Sequence, residues 1–285
     1  MIQRIDVRGN VMSAYIEPMS VGDEIKFFFA SDVHFDSMQC RRDVLTAHLD
    51  EAAKRGAYIV ICGDLFDAMQ GRFDPRRSMD DLRPEYRRSD YYDFVVEDTA
   101  KFLGRYRDNL LLLSRGNHES AVIKNAGTDL TERLVYALRN GHQANNVRSG
   151  GYMGYLRVMM QQTGNKPNGS IAIRYHHGYG GDAPVTEGVI YTSWQAEYIA
   201  DADVVVNGHN HQSYVVPIPR ETLSNKGVID NKIQWYLRTP GYKALSAWDI
   251  ERGSPPKPFG GCWVTITCAN HANHHRVTCT QEIWQ

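Results

Sequence analysis

Short apolar runs recur along the chain, each closed by polar or turn-forming residues. Residues 25–31 (IKFFFAS), 57–62 (AYIVIC), 110–114 (LLLLS), 171–175 (IAIRY) and 203–207 (DVVVN) have this form, which reads as buried strands. Helix-like stretches lie between them. Residues 42–55 place Val44, Leu45, His48, Leu49 and Ala52 on one face at i, i+3/i+4 spacing. Residues 92–106 and 129–139 show a similar pattern, the latter stopping before the pair Asn140-Gly141. Strand–helix–strand alternation in the first half predicts right-handed βαβ units and a largely buried sheet.

The second half is patterned differently. From about 145 to 180, and again from 212 to 285, strand-like stretches follow one another with Gly, Pro and Asn turns. The Asn-Gly pair in KPNGS (166–170) predicts a hairpin. Residues 194–202 (WQAEYIADA) read as a helix leading into the last of the apolar strands. The expected fold class is α/β, with a second sheet packed on the first, in a single domain over residues 1–285. One insertion interrupts it. Residues 69–90 carry six arginines and five carboxylates without apolar periodicity and are expected as an exposed excursion.

Bulk properties narrow the setting. A hydrophobic content of 42%, a charged content of 23% and a net charge of −1 are those of an ordinary globular protein, with no global pull towards nucleic acid or anionic membrane. No apolar run approaches the roughly 20 residues of a membrane span. The opening MIQRIDVRGN lacks the layout of a secretory leader, so a cytoplasmic protein is expected. Five cysteines, an odd number, fit free thiols rather than a disulfide framework. Cys262, Cys268 and Cys279 share the C-terminal stretch with His271, His274 and His275. Their spacing is not that of a zinc finger, and a β-hairpin with a His-rich tip is the expectation there.

Candidate chemistry falls at the ends of the predicted strands. The first is followed by Asp32-Val33-His34, the second by Gly63-Asp64-Leu65-Phe66-Asp67 and the third by Gly116-Asn117-His118-Glu119. The fourth ends in His176-His177-Gly178 and the fifth in Gly208-His209-Asn210-His211. In an open α/β sheet, sites form outside the carboxyl ends of the strands, so one sheet edge is expected to gather these residues. Spacing of i and i+2 lets Asp32 and His34 bind one ion together, and the same spacing in His209-x-His211 supplies two imidazoles. Carboxylate, imidazole and amide oxygens together suit Mn²⁺, Fe²⁺ or Zn²⁺ better than Ca²⁺ or Mg²⁺. Glycines 63, 116 and 208 precede the ligands where the backbone must come close.

The ordered series Asp-x-His, Gly-Asp-x-x-Asp, Gly-Asn-His-Glu, His and Gly-His-x-His, over residues 32 to 211, resembles the calcineurin-like metallophosphoesterase superfamily. The resemblance implies an α/β/β/α fold, two mixed sheets in a sandwich flanked by helices. It also implies two divalent ions, manganese first, with iron or zinc as alternatives. Carried over by position, Asp32, His34, Asp64 and His211 would hold one ion. Asp64 would bridge to a second held by Asn117, His209 and either His177 or His176, with His177 preferred because it precedes a glycine. His118 would act as general acid or stabilise developing charge. Asp67 would orient ligands and Glu119 would orient His118. Hydrolysis of a phosphate ester follows, most simply a phosphodiester, with DNA or a nucleotide as candidate substrate. A phosphomonoesterase and a non-catalytic metal-binding platform are the alternatives. Residues 235–243 (WYLRTPGYK) resemble stretches in phage-encoded members, which would imply a phage or prophage source. The Arg-rich insertion, with Phe73, Tyr91 and Tyr92, would either grip a nucleic-acid backbone and its bases or serve as a solvated loop with packed aromatics.

Overall fold

The computed structural model describes residues 1–69, 74, 79–162, 166–181, 188–223, 227–269 and 275–284, with backbone alone for 161, 162, 166–168 and 248. Two mixed sheets face each other. The first contains β3 (Glu24–Ala30), β4 (Tyr58–Cys62), β5 (Leu110–Ser114), β6 (Arg148–Gly150), β12 (Phe259–Thr267) and β13 (Arg276–Trp284), in the order β13-β12-β3-β4-β5-β6. Strands β3 to β6 run parallel, and β12 and β13 are antiparallel additions. The second contains β1 (Ile2–Arg8), β2 (Val11–Ile16), β7 (Met153–Gln162), β8 (Lys166–His176), β9 (Val204–Asn207), β10 (Tyr214–Leu223) and β11 (Ile229–Arg238), in the order β1-β2-β7-β8-β9-β11-β10. The helices are α1 (Arg42–Lys54), α2 (Tyr91–Leu103), α3 (Asn117–Ala126), α4 (Leu130–Gly141), α5 (Val189–Tyr198) and α6 (Ala247–Glu251). None is long and apolar enough to cross a membrane.

Three apolar layers account for the architecture. Phe27, Phe29, Val60 and Leu112 of the first sheet meet Leu156, Val158, Ile173 and Val206 of the second. On the other face of the first sheet, Phe28, Ile59 and Ile61 pack under Val44, Leu45, Leu49, Val95, Leu103 and Leu134 of α1, α2 and α4. Ala196 and Ile199, at the end of α5, cover Val205 and Tyr236 on the outer face of the second sheet. Strand β3 is apolar at consecutive positions because both of its faces are covered. The predicted face of α1 is buried at all five positions.

Several expectations shift in detail. The N-terminal pair β1–β2 precedes the first predicted strand and joins the second sheet. Helix α4 continues through Asn140 and Gly141 to a cap at His142, its start fixed by Asp129, whose carboxylate accepts from the Thr131 and Glu132 amides. Helix α5 begins and ends earlier than 194–202, because Ile199 turns extended. Strands β7 and β8 pair antiparallel, with Gln162 opposite Lys166, so Asn168-Gly169 lies inside β8 rather than at a turn. At the C-terminus β12 and β13 form the expected hairpin. All five cysteines are free and buried, while His271 and His274 lie outside the described residues.

The insertion is only partly an exposed excursion. Leu82 and Tyr86 are buried, and Arg83 donates to the carbonyls of Ser37 (2.9 Å) and Cys40 (3.0 Å). Arg88 pairs with Asp90 at 2.7 Å. Tyr91 is buried and donates to Asp36 at 2.5 Å, so its ring is packed rather than presented. Phe73 lies outside the described residues.

Candidate metal centre

The five motif loops leave strands of both sheets rather than one. β3, β4 and β5 of the first sheet deliver Asp32, His34, Asp64, Asp67 and Asn117, and β8 and β9 of the second deliver His177, His209 and His211. The site therefore sits where the carboxyl ends of two packed sheets meet.

Backbone conformation singles out the same residues. Among the described non-glycine residues, positive φ occurs at Asp32 (52°), His34 (49°), Asp64 (48°), Ala68 (50°), Gln143 (58°), His209 (82°) and His211 (55°). Five of these seven are predicted ligands. Left-handed backbone costs an L-residue roughly 1–2 kcal/mol, and its concentration here marks a pre-organised site. It also corrects the reason for pairing i with i+2. Asp32 and His34 converge because the chain turns sharply past β3, not because they continue its pleat. Close approach explains two glycines. A Cβ on Gly208 would lie 2.5 Å from Ser31 Oγ and 2.7 Å from Asp32 Oδ2, and one on Gly116 would lie 2.5 Å from the Asp64 amide nitrogen.

Three clusters of ligand-type atoms interlock, each with its atoms within 4.8 Å of one another: Asp32–His34–His211, His34–Asp64–His118 and Asp64–His177–His209. Asn117 Oδ1 lies 3.0 Å from His177 Nε2 and 2.9 Å from His209 Nδ1. Asp64 Oδ2 lies 3.1 Å from His177 Nε2 and 3.8 Å from His118 Nε2. Asp32 Oδ1 lies 3.6 Å from His211 Nε2 and 3.9 Å from His177 Nε2. All predicted ligands are thus brought together. His176 belongs to none of these clusters; its Nδ1 accepts from the Gly178 amide at 2.9 Å.

The donor set fits cations. Asp32 Oδ1 and His34 Nε2 are buried without a hydrogen-bond partner, a costly state for polar atoms unless an ion completes them. His177 Nδ1 donates to the Cys62 carbonyl at 3.0 Å, and His34 Nδ1 to Asp67 Oδ1 at 2.8 Å. Both rings therefore turn Nε2 inward, the usual arrangement of metal-binding histidines. Burial, with lesser help from Lys243 and His118, lowers His34 to about 4 and keeps it neutral. Burial also opposes protonation of His177, but the facing carboxylates of Asp64 and Asp32 overcome it and raise the group to about 10. The electrostatics call for positive charge in this space.

A surrounding ring of residues holds the loops. Asp67 accepts from His34 and, at 2.7 Å, from Lys243 Nζ, and its carbonyl accepts from His118 Nδ1. Asp36, buried, accepts from the amides of Asp67 (2.6 Å) and Ala68 (3.1 Å). Glu119 accepts from the amides of Gly116 (2.7 Å), Asp64 (3.1 Å) and Phe66 (3.0 Å). It ties two motif loops together, and the His118 ring is held by Asp67 instead. Asp36 carries a sequence signal in hindsight, since it follows His34 by two positions. Lys243 falls in the 235–243 stretch, to which sequence reading gave no role at the site, and Lys257, whose Nζ lies 3.4 Å from the Asn210 carbonyl, was not itself picked out.

The family profile for calcineurin-like phosphoesterases matches residues 25–213, which contain every motif above. The chain belongs to this family. The interlocked Asp/His clusters of this calcineurin-like phosphoesterase sit at the matched motifs. Comparison with curated proteins gives no match. Among solved structures, the chain is similar to a Staphylococcus aureus protein named as a 5′-nucleotidase (13% identity, TM-score 0.47), with 92% of this chain and 54% of that one covered. The chain thus spans about half the length of that relative. It is also similar to a conserved Streptococcus pneumoniae protein classed as a phosphoesterase (10% identity, TM-score 0.30), covering 91% of this chain and 99% of that one. A third is the Plasmodium inner-membrane-complex anchor GAP50 (11% identity, TM-score 0.37, 92% and 90% covered).

Proposed function

We propose that this calcineurin-like phosphoesterase is a dinuclear metal-dependent phosphodiesterase. The observation that carries the proposal is the interlocking of the clusters through Asp64, with Asn117 Oδ1 placed against both His177 and His209. Asp32, His34, Asp64 and His211 would hold one ion, and Asp64, Asn117, His177 and His209 the other, with manganese the proposed metal. Two such ions supply charge for the phosphoryl oxygens and make water acidic enough to attack at neutral pH.

The chain's own residues do the rest. Asn117 orients the ester at the shared edge of the two sites. His118 keeps its Nδ1 proton on the Asp67 carbonyl, so a second proton on Nε2 is the one passed to the leaving oxygen. Asp67 fixes the tautomer of His34, and Glu119 holds the loops that present Asp64 and Asn117. Charge favours the diester. Among the described residues, Lys243 is engaged by Asp67 and no arginine pairs with a ligand carboxylate, so the ligand cluster itself offers no free side-chain cation to a monoester's second charge. The proposal places this activity in one domain over residues 1–285 and in the cytoplasm, where five free thiols persist.

The test is hydrolysis of a chromogenic phosphodiester and its monoester counterpart with Mn²⁺ added. The diester should turn over faster, Asp64→Ala should abolish turnover, and His118→Ala should slow it roughly 10²–10⁴-fold, the worth of a positioned acid. Faster monoester turnover would reassign the enzyme as a phosphomonoesterase. Bound metal without hydrolysis of either ester would make it a binding platform.

A further inference from the structure

One surface beside the centre remains unused by this chemistry. Tyr191, Trp194 and Tyr198 lie at i, i+3 and i+7 on the outward side of α5, while Gln195 and Ala196 bury its other side. Tyr179, Trp194 and Tyr198 are 71%, 57% and 53% exposed. Their rings continue a chain of ring contacts that starts at the candidate ligand His177. Tyr152 lies 5.4 Å from His177 and 5.3 Å from His176, and Tyr191 lies 6.4 Å from both His176 and Tyr179. Trp194 follows at 6.0 Å and Tyr198 at 5.8 Å. Neighbouring planes are inclined by 46–72°, so the ring faces are not consumed by stacking on one another.

Positive charge lies beneath this row. Arg238 is fully buried, donates to the Gly208 carbonyl at 2.5 Å, and carries an Nη2 with no hydrogen-bond partner. That nitrogen is 3.6 Å from the point where a Cβ on Gly188 would sit, and Gly188 caps α5 without any side-chain hydrogen bond. Arg174, also buried, has an unpartnered Nη1. Neither arginine forms an ion pair among the described residues. Among the described residues Arg238 meets the Gly208 carbonyl, the Tyr214 hydroxyl and the rings of Tyr191 and Tyr214, none of which carries a full counter-charge. Buried guanidinium in that state is costly, and the N-terminus of α5, which has no side-chain cap, adds partial positive charge at the same end. An apolar peptide or a lipid surface would cover the rings but leave these charges unanswered. A polyanion bearing flat rings answers both.

We infer that α5 is a stacking track for the bases of a single-stranded nucleic acid, with its phosphates drawn to the N-terminal end of α5 and into the metal centre. The inference rests on the phosphodiesterase reading and names its substrate class. Stacking on such rings is sequence-tolerant, because every base has a π-face.

The experiment measures binding of a short oligodeoxythymidylate and of an abasic strand of equal length to Mn²⁺-loaded protein. A His118→Ala background slows turnover enough for binding to be read first. The base-bearing strand should bind more tightly. Trp194→Ala and Tyr198→Ala should each weaken it roughly tenfold, with little effect on the abasic strand. In the wild-type background the same exposed-site substitutions should leave turnover of the small chromogenic diester unchanged. Equal affinity for the two strands overturns the inference. So does a result in which the substitutions change only self-association in sedimentation, which would make the row a contact between copies. A protein that binds bases through these rings yet hydrolyses no ester sinks the hydrolase proposal alone. An active diesterase blind to bases sinks this one alone.

Discussion

Asp67 is held at every polar group it has. Its carboxylate takes His34 and Lys243, its amide goes to Asp36, and its carbonyl takes the His118 ring. One residue thereby sets both a candidate ligand and the candidate acid. Partners of this kind typically carry 10–100-fold in metal affinity or activity. Asp67→Asn should therefore weaken Mn²⁺ binding by roughly that factor in calorimetric titration. Lys243→Met should act in the same direction and Lys243→Arg less so, because a guanidinium can still donate to the carboxylate. Unchanged affinity in Lys243→Met would show that this lysine contributes packing alone. Lys243 lies outside residues 25–213, the span matched to the family, and it reaches the site through tertiary structure that no local pattern encodes.

Elements whose burial is uniform were the legible ones. β3, β4, β5 and β9 coincide with the predicted runs to within a residue or so, since a strand covered on both faces must be continuously apolar. Helix α3 had no such signal. It opens on the Gly-Asn-His-Glu motif itself, and only His118, Glu119 and Val122 of it are buried, so metal-motif residues occupy the places where periodicity would show. The site's membership was legible because each ligand lies one to four residues beyond a strand. Its assembly across two sheets was not, because topology depends on which strands pair. Two substitutions separate core from site. Phe29→Ala should cost about 3–5 kcal/mol in urea unfolding, as for other buried phenylalanines. Gly208→Ala should instead lower bound metal, since its methyl group would press on Asp32 and Ser31. Full metal occupancy in Gly208→Ala would show that this loop yields more easily than its contacts imply.

At the scale of the whole molecule, the candidate centre joins the two sheets, so ions bound there favour the packed state over any opened one. A ligand at a hundredfold excess over its Kd adds about 2.7 kcal/mol to stability. Melting with saturating Mn²⁺ should accordingly exceed melting in chelator, and Asp64→Ala should erase the difference. An equal shift in Asp64→Ala would mean the ion binds elsewhere. The order β13-β12-β3-β4 carries a consequence for synthesis. Phe27–Phe29 lie in a strand whose other neighbour, residues 262–267, is encoded more than two hundred positions later. At typical elongation rates of about 5–20 residues per second, that flank stays unpaired for on the order of tens of seconds. A ribosome-bound chain halted before β12 should present FFFA as an open, aggregation-prone edge and recruit holding chaperones there, while one released past β13 should not.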